Sequence, residues 1–238
     1  MPEVLDPRHV YVTVDLMILT VREKDLCLML GRRENPPYAL RLALPGRFIG
    51  LQENAEVTAR RLLDEMLPAQ EPFLEQLYTF SEVSRDPRGR VISCAYLAVL
   101  PWKQVEALLT RPDVPLRPYR VSVDASGGLL LTGDGEARVT EGDLAFDHGR
   151  IIRTGISRLR GKIDYTDIAF HFLEDPRAFP LGALQTVFEA VLGTPLDSSN
   201  FRRGLFSRYE RSGALRKTYA EVRKGKGRPA VLYRYDFK

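Results

Sequence analysis

The chain has 238 residues, 44% of them hydrophobic and 28% charged, with a net charge of +4. That balance fits a soluble protein with one domain of ordinary size and a small second one, and excludes a disordered or fibrous chain. No apolar run approaches the length of a membrane span, and the start MPEVLDPRHV lacks the basic-then-apolar layout of a signal peptide, so a cytoplasmic protein is expected.

Val10 to Thr20, VYVTVDLMILT, is rich in β-branched residues and reads as a buried strand. Leu26 to Leu30 continues as a second strand that ends at Gly31-Arg32-Arg33. Glu34 to Arg41 carries a Pro-Pro pair and is loop, and Leu42–Leu44 and Phe48–Ile49 flank a turn at Pro45-Gly46. From Asn54 the apolar period changes to about 3.6, with Ala59, Leu62, Leu63 and Met66 on one face and Pro68 ending the helix. Strands over Gln76–Phe80 and Val91–Leu100 enclose the basic, turn-prone loop Ser84–Arg90. A short helix at Trp102–Thr110, a strand near Gly127–Gly135 and a helix over Asp143–Lys162 complete a mixed α/β sandwich. Cys27 and Cys94 fall inside apolar strands and read as buried thiols. His9, His148 and His171 have no metal-ligand spacing; His148 is expected at an interdomain or dimer contact, and Trp102 in the core.

The stretch Ala43–Pro68, ALPGRFIGLQENAEVTARRLLDEMLP, resembles the Nudix box, G-x5-E-x7-R-E-U-x-E-E-x-G-U with U a bulky apolar residue. On that frame Arg47 stands at the opening Gly, Glu53 and Arg61 match the Glu and Arg, and Glu65 retains one helix glutamate. Leu62 and Met66 replace the two other glutamates and Pro68 the closing Gly. Those glutamates hold divalent metal in the family, and a hard ion finds no oxygen ligand on Leu or Met. The resemblance therefore implies the fold and argues against the usual hydrolysis, with Glu53, Arg61 and Glu65 as a residual box. The segments LGRRENPPYALRLALPG, RDPRGR and LAFDHGRIIRTGISRLRGKIDYT resemble, in order and spacing, the Nudix-related transcriptional regulators of the NrtR type.

From Arg177 to Lys238 there are 13 Lys/Arg against 5 Asp/Glu, a balance of +8, whereas the rest of the chain carries 22 against 26, a balance of −4. A slightly acidic body with a basic tail points to a polyanion partner for the tail. Leu181–Leu192 has a helical stripe of Leu184, Val187, Phe188 and Val191, stopped by Gly193. Asp197 is placed as N-cap of a second helix, Ser198–Arg211, that buries Phe201, Leu205 and Tyr209 and leaves Ser199, Asn200, Arg202, Arg203 and Arg208 free to face DNA. Two alternating runs, Leu215–Val222 and Ala230–Phe237, flank a basic glycine-rich tip with Lys224, Lys226 and Arg228. This is the pattern of a winged helix-turn-helix, with base-reading residues on the second helix and phosphate-binding residues on the wing.

The expected architecture is a Nudix-type α/β/α sandwich over residues 1–162, a connector over 163–178 and a winged helix over 179–238. By resemblance, the first domain binds ADP-ribose or a related NAD-derived nucleotide, and the second binds double-stranded operator DNA as part of a homodimer. Arginines hold diphosphates through forked hydrogen bonds without a metal, which makes Arg32, Arg33, Arg47, Arg61, Arg88 and Arg90, with Arg85, the candidate effector ligands. No cofactor is required; Mg²⁺ enters only if the alternative holds, a Nudix hydrolase of ADP-ribose or a similar nucleoside diphosphate derivative. A sugar or sugar phosphate effector is a third reading. The expected moving element is the Asp143–Lys162 helix with the Ile163–Phe172 connector.

Overall fold

The computed structural model describes residues 5–68, 71–123, 126–135, 138–209, 213–222 and 229–237, except for the side chain of residue 219. The body is built on β1 (Tyr11–Arg22), β2 (Asp25–Arg32), β3 (Leu42–Ala43), β4 (Gly46–Phe48), β5 (Phe73–Phe80), β6 (Val91–Val99), β7 (Leu116–Val123), β8 (Leu129–Gly133) and β9 (Arg138–Thr140). Among the described residues these form one sheet of order β5-β6-β1-β2-β7-β8-β9, with β3 on β2 and β4 on β1. β1 runs parallel to β6 and antiparallel to β2, so it sits centrally and is covered on both faces. That burial is why its sequence is nearly continuous in apolar residues instead of alternating.

Period two divides the sheet residues between two cores. Val14, Leu16 and Ile18 face helices α1 (Ala55–Met66) and α2 (Trp102–Leu109), whose Leu62, Leu63, Val105 and Leu108 fill that side. Met17 and Leu19 face α3 (His148–Lys162), which contributes Ile152, Ile156 and Leu159. Gly155 makes the α3 approach close, since a Cβ there would lie 2.2 Å from Met17 Sδ. The α/β/α sandwich expected from the sequence is present. Strand β7 was not anticipated, and Cys94 is only half-buried, although both cysteines are free thiols. Trp102 is half-buried under the Arg22 guanidinium, 5.1 Å from the ring centre. The helix expected from Asp143 begins instead at His148. Residues Glu141–Asp143 form a 3-10 turn, and Phe146 has φ 52, which interrupts a right-handed helix.

The C-terminal domain comprises β10 (Phe179–Pro180), α4 (Leu181–Leu192), α5 (Ser198–Tyr209), β11 (Leu215–Val222) and β12 (Ala230–Tyr235), with sheet order β10-β12-β11. Residues 163–178 are not a loose link. The 3-10 turn Ile168–Phe172 enters the core, where the Phe170 ring stacks on Tyr235 at 3.7 Å and meets Phe179 and Tyr209 edge-on. One apolar cluster runs from Leu28 and Ile156 through Phe170 to Leu184 and Leu205, so sandwich and winged helix share buried surface. No helix among the described residues is long and apolar enough to cross a membrane.

Candidate functional site

Asn54 caps α1, its side chain accepting from Val57 N–H at 2.9 Å, and this positions the box residues. Glu53 is clamped by Arg61, with contacts of 2.8 Å to both carboxylate oxygens, and by Thr58 Oγ1 at 2.9 Å. Arg47 takes both oxygens of Glu65, at 2.6 and 2.5 Å, and Arg61 adds a longer contact at 3.4 Å. Arginine hydrogen bonding holds both carboxyls below the usual range, Arg61 being the main cause for Glu53 and Arg47 for Glu65. Leu62 and Met66 turn inward to the core. The donor set does not fit a hard dication: two former ligands are apolar and the surviving carboxylate is saturated by guanidinium groups. Among the described residues no group of three or more His, Cys, Asp or Glu is placed to hold a metal ion. Arg47, a candidate effector ligand, is paired with Glu65.

Beside the box opens a cleft of about 350 Å³, lined by Asp15, Arg33, Arg47, Phe48, Arg85, Arg88, Phe146 and His148 among others. Among the described residues the Arg33 side chain donates only to backbone carbonyls, of Pro37 at 2.9 Å and Asn35 at 3.3 Å, and lies over the Phe146 ring at 4.7 Å. Arg88 is paired with Asp86 and lies 5.4 Å from the same ring and 5.7 Å from Phe48. Burial first, then the Arg88 charge, pulls the Arg33 guanidinium below its ordinary range. An anion entering between the two cations would relieve that repulsion, and the aromatic faces suit a planar ring.

The cleft thus brings together Arg33, Arg47, Arg85 and Arg88 but not Arg32, Arg61 or Arg90. Arg61 stays with Glu53 and Glu65 on the face of α1. Arg32, the neighbour of Arg33 at the end of β2, turns to a separate surface groove lined by Leu40, Arg41 and Asp143, because successive strand residues point to opposite faces. Arg90 donates to the carbonyls of Ser81 and Glu82 and fastens its own loop.

The wall of the cleft contains a buried ionic network. Asp15, 6% exposed within the apolar strand β1, accepts from Ser93 Oγ at 2.5 Å and from Arg85 Nη2 at 3.3 Å. Arg85 also makes a forked pair with Asp147, at 3.0 and 2.7 Å. His148 corrects the expectation of an interdomain or dimer contact. It lies in the cleft wall, 3% exposed, where its Nδ1 accepts from Leu44 N–H at 2.9 Å and its Nε2 stands 3.7 Å from Asp15. Burial holds the His148 imidazole below its usual range despite the Asp15 charge, so the ring is neutral with its proton on Nε2. The available signal was Asp15 itself, a lone carboxylate in an apolar run, which needs a buried partner.

In the C-terminal domain Gly193, at φ 72, stops α4, and Asp197 Oδ1 accepts from Asn200 N–H at 2.8 Å to cap α5. Leu205 and Tyr209 anchor α5 in the core, while Ser199, Asn200, Arg202 and Arg203 are exposed along its first turns. Arg203 is steadied by Asn200 Oδ1 at 2.8 Å. Strands β11 and β12 pair antiparallel as the stem of a wing. Lys224, Lys226 and Arg228, the expected phosphate contacts, lie outside the described residues.

A sandwich of Nudix type carrying a cationic cleft, joined to a winged helix with an exposed arginine-bearing second helix, is the build of a DNA-binding protein. Residues 169–235 match the model of the NrtR DNA-binding winged helix domain. The chain is 32% identical over 232 residues to the ADPR responsive transcriptional repressor NtrR of Acinetobacter baylyi, covering 94% of this chain and 84% of that protein. It is similar to the crystal structure of Shewanella oneidensis NrtR complexed with a 27mer DNA, at 29% identity and TM-score 0.72, over 94% of this chain and 93% of that one. An ADP-ribose pyrophosphatase of Methanocaldococcus jannaschii is 30% identical over 151 residues, 61% of this chain and 72% of that protein. The chain belongs to the NrtR family of Nudix-related, DNA-binding transcriptional regulators.

Proposed function

We propose that the protein is a transcriptional repressor whose Nudix-type domain binds ADP-ribose, or a related NAD-derived nucleotide, without hydrolysing it, and whose winged helix binds operator DNA as a homodimer. The observation that carries this reading is the contrast within one domain: the box carboxylate Glu65 is saturated by Arg47 and Arg61, whereas Arg33 in the adjoining cleft has only carbonyl partners. Arg33 and Arg88 are suited to a diphosphate, and Phe48 and Phe146 to the rings on either side of it. On DNA, the start of α5 enters the major groove, where Asn200, Arg202 and Arg203 reach base edges, Ser199 reaches the backbone, and Lys224, Lys226 and Arg228 neutralise phosphates. The test is a calorimetric titration with ADP-ribose, paired with a gel shift on a selected operator duplex. Saturable binding that alters the shift, with the nucleotide recovered intact, is expected. Turnover at enzyme rates with Mg²⁺ or Mn²⁺, abolished by Glu65→Gln, would replace this reading with the hydrolase.

A further inference from the structure

Helix α3 is held by polar contacts at both ends, one at the cleft and one at the winged helix. At its start, Asp147 receives the forked pair from Arg85, which lines the cleft. The next residue, His148, is tied to Leu44 N–H across the same wall. In its last turn, Arg160 Nε donates to the Val191 carbonyl at 2.9 Å, in the last turn of α4. Just beyond, Arg208 of α5 reaches Asp164 at 3.4 Å, and Tyr209 Oη donates to the Thr166 carbonyl at 3.1 Å. A fifteen-residue helix wedged against the sheet through Gly155 and Met17 moves as a unit, so a displacement at one end reaches the other.

The residue before Asp147 is held in a strained conformation. Phe146 has φ 52, a left-handed conformation that disfavours a bulky side chain, and such outliers persist where surroundings over-determine them. Here the surroundings are the two cleft cations over its ring, Arg33 and Arg88, and the edge of Tyr38 at 5.1 Å. An anion in the cleft competes for those cations and so alters the cover on Phe146.

We propose that Asp147 and Arg160 are coupling residues: Asp147 stands behind Arg85 in the cleft wall, Arg160 lies in the last turn of α3 against α4, and together they carry the state of the cleft along α3 to the recognition helix. Asp147 ties the helix to Arg85 and the strained Phe146, and Arg160 passes its position to the α4–α5 pair. This rests on the reading of the cleft as the ADP-ribose site. A ligand shifts such an equilibrium only by its differential affinity for the two arrangements, and spatial intermediacy has to be backed by a measured coupling.

The experiment measures operator affinity of the full-length protein with and without saturating ADP-ribose, and ADP-ribose affinity with and without operator, for wild type, Asp147→Asn and Arg160→Ala. The operator is a duplex selected on the wild-type protein from a randomised pool. Wild type should show reciprocal coupling of about 5- to 150-fold. Arg160→Ala is expected to bind either ligand alone within about threefold of wild type while its coupling factor falls towards one, and Asp147→Asn to lose coupling while still saturating with ADP-ribose. Coupling unchanged in Arg160→Ala, which removes no buried carboxylate partner and so remains informative if Asp147→Asn misfolds, would overturn the proposal. So would a variant that loses coupling only because it no longer binds ADP-ribose. A wild-type protein whose DNA affinity ignores ADP-ribose would instead remove the reading of the cleft, and the proposal with it.

Discussion

The cleft and the recognition helix use the same side chain in opposite settings. In the cleft Arg85 is 6% exposed and locked between Asp15 and Asp147, and Arg33 and Arg88 lie against Phe146. On α5, Arg202 and Arg203 stand in solvent, and only Arg203 is steadied, by Asn200. A small diphosphate makes few contacts, so its site must be organised before it arrives. Operator DNA brings a long array of charges whose counterions are released on binding, so exposed surface arginines suffice there.

That contrast is broken most severely at Arg85. Arg85→Met leaves Asp15 and Asp147 buried without their cation, and removal of one partner from a buried pair costs about 3–5 kcal/mol. A large loss of stability in urea unfolding is the expected result, whereas Arg202→Ala should be nearly silent there. Next comes ligand affinity. Arg33→Ala removes a cation free to take phosphate, worth about 1.5–3 kcal/mol for a charged hydrogen bond. Calorimetry should show ADP-ribose binding weakened roughly ten- to a hundredfold.

Smaller effects belong to the reader domain. Arg202→Ala and Arg203→Ala should each cost about 1–3 kcal/mol on the selected operator and far less on random DNA. Lys224→Ala should weaken both alike and reduce the salt slope by about one. Anisotropy titrations at several salt concentrations separate the two behaviours, and an equal loss on both DNAs for Arg202→Ala would remove its base-reading role.

The smallest effect concerns protons. Burial keeps His148 neutral in the fold, and His171, stacked on Phe237 and tilted against Phe73, is lowered for the same reason. In the unfolded chain a histidine takes up its proton as pH falls through about 6.5. The unfolded state then binds more protons than the folded one, so stability is full above that pH and declines as pH falls towards the lowered folded value. Urea unfolding between about pH 7 and pH 5 should show that decline, shallower in His148→Asn, whose Oδ1 can still accept from Leu44 N–H.

Much of the architecture was legible because it rests on local signals. The stripe Ala59, Leu62, Leu63, Met66, the stop at Gly193 and the cap at Asp197 each act over one or two turns, and each stands where the pattern put it. The helix expected from Asp143 did not begin there, because the left-handed Phe146 is held by residues distant in sequence, Arg33 and Arg88. Seven arginines were candidates for the cleft, and spacing could not separate Arg33 from Arg32, whose directions depend on the end of β2.

By itself the sequence determined the two-domain plan, the loss of two box glutamates to Leu62 and Met66, and the surplus of positive charge in the tail. These follow from residue type and short-range periodicity. Only the tertiary structure decided that Arg47 neutralises Glu65, that Asp15, Arg85, Asp147 and His148 form one buried wall, and that α3 links this wall to the winged helix. Each depends on side chains dozens of residues apart meeting in a low-dielectric interior, where the partner of a charge is chosen by packing and not by sequence distance.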